Sequence, residues 1–147
     1  MGAESSATTV WQGDLAKGAG TTSPESGAFP DVDVTWASRT SRSAGKTSPE
    51  ELLAAAHGGC LTMSLASELT RAGTPPGRLD VSCRIVMDEV EGRGHEIVAS
   101  HVELVAAVDG LDEAGLGTAV AKADGSCPFS ILLERAGVAV DVSARLA

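Results

Sequence analysis

The chain has 147 residues, the size of one domain. Hydrophobic residues make up 43%, but only 3% are aromatic (Trp11, Phe29, Trp36 and Phe129, with no Tyr), so a core must be built from Val, Leu, Ile and Ala. Twenty acidic residues against 11 basic ones give a net charge of −9; such a surface repels phosphate backbones and anionic lipid heads, and few rings are available for base stacking, which argues against nucleic-acid and membrane partners.

Residues 7–13 read as a short strand closed by a glycine turn, and Gly18-Ala19-Gly20 punctuates the next stretch. Val32, Val34 and Trp36 alternate with Asp33 and Thr35, a strand period. Residues 38–47, dense in Ser, Thr, Gly and Arg, read as a loop. A long helix then starts sharply: Ser48 is the N-cap, Pro49 the first helical residue and Glu51 the reciprocal capping-box partner. Leu52, Leu53, Ala56, Leu61, Leu65 and Leu69 carry it to Gly73 and Pro75-Pro76, predicting a helix over 49–72 of roughly 36 Å. Gly58-Gly59 in its middle costs about 1 kcal/mol per glycine, so something should pack closely there.

Val81, Cys83, Ile85 and Met87 alternate with polar residues, and after a glycine turn at 92–94 so do Val98, Val102, Leu104 and Ala106, predicting a hairpin. Residues 111–124 read as an Ala-rich helix ending at Gly125, a short helix runs from Pro128 to before Gly137, and Val138 to Leu146 close the chain as a strand. This is an α+β pattern with mostly antiparallel strands, a single domain over 1–147 with residues 1–6 as a flexible tail. A long helix that is apolar nearly all round outruns the cover one copy can offer, so a homodimer is expected, its long helices central and Gly58-Gly59 permitting close approach. No apolar run approaches the ~18 residues that span a bilayer and no leader pattern is evident, so a cytoplasmic location is expected.

Three irregularly spaced cysteines, Cys60, Cys83 and Cys127, do not form a secreted disulfide framework. Cys83 is in phase with Val81 and Ile85 and reads as packing. Cys127 precedes Pro128 at a helix start, where orphan N–H groups stabilise a thiolate. Cys60 shares a helix face with His57, leaving a Cys–His dyad open. Structural zinc needs four ligands, but His95 and His101 lie on the hairpin and no CxxC exists, so no metal or other cofactor is expected. Mid-helix, Cys60 has no help from its own helix dipole, so a cation must come from elsewhere. Arg39, Arg42 and Lys46 lie on the preceding loop. Glu50, some 15 Å along the helix from Cys60, reaches it only through an arginine that a bidentate pair could orient. These charges can also be read as a solvated loop and a helix N-terminal complement.

The segment Thr47-Ser48-Pro49-Glu50-Glu51-Leu52-Leu53 through His57-Gly58-Gly59-Cys60 to Leu65, with Ala123-Asp124-Gly125-Ser126-Cys127-Pro128-Phe129-Ser130, resembles the two cysteine motifs of the OsmC/Ohr family of thiol-dependent peroxidases. Trp11-Gln12-Gly13, Glu25-Ser26-Gly27 and the Ala-Ala-His run ending at His57 favour its osmotically inducible branch, and the likeness covers nearly the whole chain. The resemblance implies Cys60 as the peroxidatic thiol, Cys127 as the resolving one, Glu50 as the family's carboxylate and Arg39 as its arginine, with Arg42 a second candidate because of an extra residue before Gly45-Lys46. Gly58, Gly59 and Leu61 depart from the usual Ala, Ala and Phe, and Cys83 matches no functional position. Implied with it are an OsmC-like fold, with mostly antiparallel sheets around a long central helix in an intertwined homodimer, and reduction of organic hydroperoxides through a Cys60–Cys127 disulfide. An external, lipoyl-type dithiol would restore the thiols. A non-catalytic redox sensor and an apolar-ligand-binding module are the competing readings.

Overall fold

The computed structural model describes residues 2–41 and 45–147, so Arg42 lies outside the described residues. They fall into two compact units, one up to Leu52 and one from Leu53 to Ala147.

In the first unit, β1 (Ala7–Gln12), β2 (Ala19–Pro24) and β3 (Val32–Val34) form an antiparallel sheet in that order. The glycines around Ala19 are therefore part of a strand edge and its entry rather than punctuation alone. Trp11 pairs with Gly20, and a Cβ at Gly20 would stand 2.8 Å from the Trp11 ring. A Cβ at Gly18 would collide with Asp14 O and stand 2.6 Å from Gln12 O, with the same indole at 2.9 Å. The missing side chain of Gly20 makes room for a tryptophan from the neighbouring strand, and that of Gly18 for the backbone of the turn as well.

Trp36 does not continue β3. It opens a short helix, α1 (Trp36–Ser41), inside the stretch expected to be strand end and loop. The cause is a reciprocal cap: the Ser38 N–H donates to Thr35 Oγ1 and the Thr35 N–H donates to Ser38 Oγ, both at 3.0 Å. The buried Ser38 hydroxyl also meets the carbonyls of Thr35 at 2.8 Å and Thr47 at 2.7 Å. Thr47 in turn donates its N–H to Asp33 O at 2.9 Å and bridges Val34, so the approach to the long helix is zipped to β3.

That helix, α2 (Pro49–Arg71), starts as expected: the Glu51 N–H donates to Ser48 Oγ at 3.1 Å. The second half of the capping box differs, because the Glu51 carboxylate accepts from Thr47 Oγ1 at 3.1 Å instead of returning to Ser48. Its end is a Schellman turn, with Thr74 N–H on Leu69 O, Gly73 N–H on Thr70 O and Gly73 at φ +83°.

The second unit contains β4 (Arg78–Val90), β5 (Gly94–Ala107) and β6 (Ala139–Leu146), ordered β4-β5-β6. β4 and β5 form the expected hairpin, with a register shift between Val86 and Met87. β6 runs parallel to β5, the one departure from an antiparallel pattern in this sheet. Two helices, α3 (Glu113–Ser126) and α4 (Pro128–Arg135), supply the crossover that a parallel pairing requires. α3 starts at an Asp112 cap, whose carboxylate accepts the Gly115 N–H at 2.7 Å, and continues through Gly125 rather than ending there.

Leu61, Leu65 and Leu69 of α2 pack with Val102, Leu104 and Ala106 of β5 and with Leu116, Ala119, Val120 and Ala123 of α3. The buried side of α2 is therefore one stripe; Ala55, Gly59, Met63 and Ser67, four residues apart, line an exposed one. Close approach occurs at Gly58, where a Cβ would lie 3.3 Å from Cys83 Cβ on β4, whereas Gly59 meets nothing within 4 Å among the described residues. Among the described residues no helix is long and apolar enough to cross a membrane.

Candidate active site

Cys60 sits mid-way along α2, half-buried, and Cys127 is wholly buried at the junction of α3 and α4. Both thiols are free, and Cys60 packs against the core cluster that contains Cys127, close enough for that thiol to affect its ionisation. Cys127 is the N-cap of α4 yet its sulfur caps nothing in its own helix. Pro128 at the next position has no N–H to offer. The first orphan donor of the helix is the Phe129 N–H, and it reaches Cys60 Sγ. Cys60 thus receives from α4 the helix-terminal donor that its own mid-helix position denies it, and the orphan donor expected to serve Cys127 serves Cys60.

Burial pushes the Cys60 thiol above its ordinary value, the Phe129 N–H opposes this, and the neighbouring Cys127 thiol reinforces it. A Cys60 thiolate therefore needs stabilisation beyond what the Phe129 N–H provides.

His57, one turn before Cys60, does not form a dyad with it. The imidazole is wholly buried, with Nδ1 2.8 Å from Ser100 Oγ and Nε2 2.9 Å from Ser130 Oγ. Both serines are themselves wholly buried. Burial lowers the His57 pKa, against an opposing pull from the Asp124 carboxylate, so the ring is neutral at pH 7. Cys83, as its phase predicts, faces inward, with its sulfur 3.5 Å from Ser100 Oγ and 3.9 Å from His57 Nδ1. Ser100 carries no motif, and Ser130 closes the second cysteine segment with no role assigned to it there. Ser100 was detectable as a polar residue in the inward phase of Val98 and Val102, and Ser130 as the residue one turn after Cys127. Among the described residues, no three His, Cys, Asp or Glu side chains group to hold a metal ion.

In the first unit, the structure brings Arg39 to Glu50. The expected two-oxygen fork is absent: Nε at 2.8 Å and Nη2 at 2.7 Å both converge on Oε1. Oε2 is buried and unpartnered among the described residues. The Arg39 guanidinium also lies 5.8 Å from the centre of the Trp36 ring, a cation–π distance.

Comparison with known proteins matches residues 42–143 to the family described as OsmC-like protein. The chain is 34% identical over 124 residues to peroxiredoxin OsmC of Escherichia coli strain K12, covering 84% of this chain and 85% of that one. Peroxiredoxin OsmC of Shigella flexneri matches to the same extent. In fold, the chain is similar to an organic hydroperoxide resistance protein OsmC from Legionella pneumophila (TM-score 0.72, 21% identity, 95% of this chain and 96% of that one). It is also similar to OhrB of Bacillus subtilis (0.70, 22%, 95% and 98%) and an OsmC-like protein of Mycoplasma pneumoniae (0.78, 12%, 100% and 99%). With the family model spanning most of the chain and a curated relative matched over most of its length, this protein belongs to the OsmC-like family.

Proposed function

We propose that this protein is a cysteine-based peroxidase that reduces organic hydroperoxides to alcohols, with Cys60 as the peroxidatic thiol and Cys127 as the resolving one. What supports this reading is the neighbourhood of two free thiols, Cys127 wholly buried at the start of α4 and Cys60 packed against the same core cluster with the Phe129 N–H beside it. The Cys60 thiolate attacks the terminal oxygen of ROOH and the O–O bond breaks. The alkoxide takes up a proton and leaves as ROH, while the sulfur is oxidised to sulfenic acid. The Cys127 sulfur then attacks that of Cys60, expelling water and closing a disulfide. A lipoyl-type dithiol reduces the disulfide by two exchanges and departs as its own disulfide.

Arg39, oriented by Glu50, is the cation assigned to the Cys60 thiolate and to the charge developing on the peroxide, a role that rests on the family resemblance. The half-buried Phe129 beside Cys60 favours alkyl hydroperoxides over hydrogen peroxide. The exposed stripe of Ala55, Gly59, Met63 and Ser67 is the face of α2 that a second copy covers in a homodimer. A reducing cytosol is the compartment in which free thiols of this kind persist.

The test is steady-state consumption of t-butyl and cumene hydroperoxide against hydrogen peroxide, with a lipoyl dithiol as reductant, followed by mass spectrometry of the oxidised protein. Cys60→Ser abolishes consumption, Cys127→Ser permits one unrecycled turnover, and the disulfide joins Cys60 to Cys127. A bridge through Cys83, or full activity in Cys60→Ser, overturns the reading. Oxidation without turnover by any dithiol would instead mark a redox sensor.

A further inference from the structure

The two thiols are not the only link between α2 and the start of α4. Cys60 meets Cys127, and one turn away on both helices His57 Nε2 meets Ser130 Oγ at 2.9 Å. The spacing is three residues on each side, so the contacts form two rungs of one ladder. The upper rung joins thiols that must change partners during the reaction. The lower one joins groups with no redox chemistry, both wholly buried. We propose that His57 is a positioning residue for the resolving step: it clamps the first turn of α4 through Ser130 and so holds Cys127 within reach of an oxidised Cys60.

A disulfide forms only when the two Cα atoms come within about 7 Å with suitably directed Cβ bonds. At the start of α4 the Cys127 backbone is held by its N–H on Asp124 O at 3.2 Å and by its carbonyl accepting from the Ile131 N–H at 3.0 Å, but the side chains of the first turn are less restrained. The Cys127 side chain makes no capping bond, Pro128 has no N–H, and the Phe129 N–H is spent on Cys60. Oxidation of Cys60 puts an oxygen on the sulfur that accepts from Phe129 and contacts Cys127, changing both of those contacts. The His57–Ser130 bond is unaffected, because neither partner touches the reacting sulfur in the rung. The other imidazole nitrogen is fixed by Ser100 on β5, at 2.8 Å, which locks the ring plane between sheet and helix. In the step itself, sulfenic acid and thiol give disulfide and water; His57 neither gains nor loses a proton.

This inference rests on the proposed peroxidase reading, and the test separates the two. In the full-length protein, His57→Gln places an amide near Nε2 and keeps the Ser130 rung. His57→Asn places it near Nδ1 and keeps only the Ser100 bond. After one equivalent of t-butyl hydroperoxide, sulfenic acid is trapped with dimedone and disulfide is counted by mass spectrometry against time. Asn leaves Cys60 oxidation within about twofold but slows disulfide closure about tenfold, the factor expected for one buried hydrogen bond, whereas Gln keeps closure near the wild-type rate. Ser130→Ala, a smaller change, reproduces the Asn behaviour. A parallel arm closes the same disulfide with diamide, which needs no peroxidase activity. The order Gln faster than Asn and Ser130→Ala must appear there even if hydroperoxide fails to oxidise Cys60. Equal slowing by Gln and Asn, or normal closure in Ser130→Ala, overturns the positioning role.

Discussion

Arg39 presents two nitrogens to a single oxygen of Glu50, Nε at 2.8 Å and Nη2 at 2.7 Å from Oε1. One oxygen thus sets the guanidinium plane, while the Trp36 ring lies against its cationic face. Glu50→Gln keeps an acceptor but removes the charge, and Arg39→Lys offers a point charge that cannot place two donors on one atom. Both are expected to lower kcat/KM for cumene hydroperoxide by about tenfold to a hundredfold, the range over which a single electrostatic contact to a transition state acts. Because Arg39 is about one-third exposed, urea midpoints should shift by no more than about 1 kcal/mol in free energy. A large stability loss with unchanged kinetics would refute the assignment.

The hydroxyl of Ser38 ties α1 to the segment before α2, and it is buried. Ser38→Ala leaves the Thr35 N–H and the Thr47 carbonyl without that partner. The expected cost is about 1–3 kcal/mol. Amide exchange at Thr35 should accelerate, and hydroperoxide turnover should fall because the adjacent Arg39 loses its platform. Hydrogen exchange on the variant checks the first effect independently of the second.

Burial keeps the His57 pKa below its ordinary value near 6.5, with the Asp124 carboxylate opposing and the Cys83 thiol beside Nδ1. The unfolded chain therefore binds this proton more readily than the folded one. Its contribution to stability is intact above about pH 6.5 and declines as the pH falls from there towards the folded value, by at most about 1.4 kcal/mol per pH unit. Urea unfolding at pH 7.5 and 5.5 should show a steeper loss for the wild type than for His57→Gln. Identical slopes would show that His57 does not supply this dependence.

Cys83 packs against Gly58 and touches Ser100, and the proposed mechanism gives it no redox role. Cys83→Ala should retain hydroperoxide turnover and the same Cys60–Cys127 disulfide while losing about 1 kcal/mol of stability, the cost of a small core truncation. Loss of turnover in a folded variant would call for a third redox thiol.

Met63 is 69% exposed on the same stripe of α2 as Gly59. Met63→Glu places a charge where a second copy is proposed to pack, so sedimentation velocity should show the wild type as a dimer and the variant shifted to monomer. An unchanged sedimentation coefficient would move the proposed interface elsewhere.

Short-range signals in the chain determined a large part of this protein. Ser48 and Pro49 start α2, Gly73 with its positive φ ends it, Pro128 opens α4, and the alternation around Cys83 turns that thiol inward. Each depends on a backbone preference or a periodicity spanning a few residues, so each is written where it acts. Tertiary structure decided what depends on residues distant in the chain. Gly20 belongs to a strand, where Trp11 of β1 needs its space. β6 is parallel because two helices carry the chain back across the sheet. The neighbourhood of Cys60 and Cys127, 67 residues apart in the chain, arises where the start of α4 brings Cys127 and the Phe129 N–H beside Cys60. His57 is held by serines 43 and 73 residues away. No local pattern could encode those contacts, because a buried imidazole takes whichever partners the packed core brings to its two nitrogens.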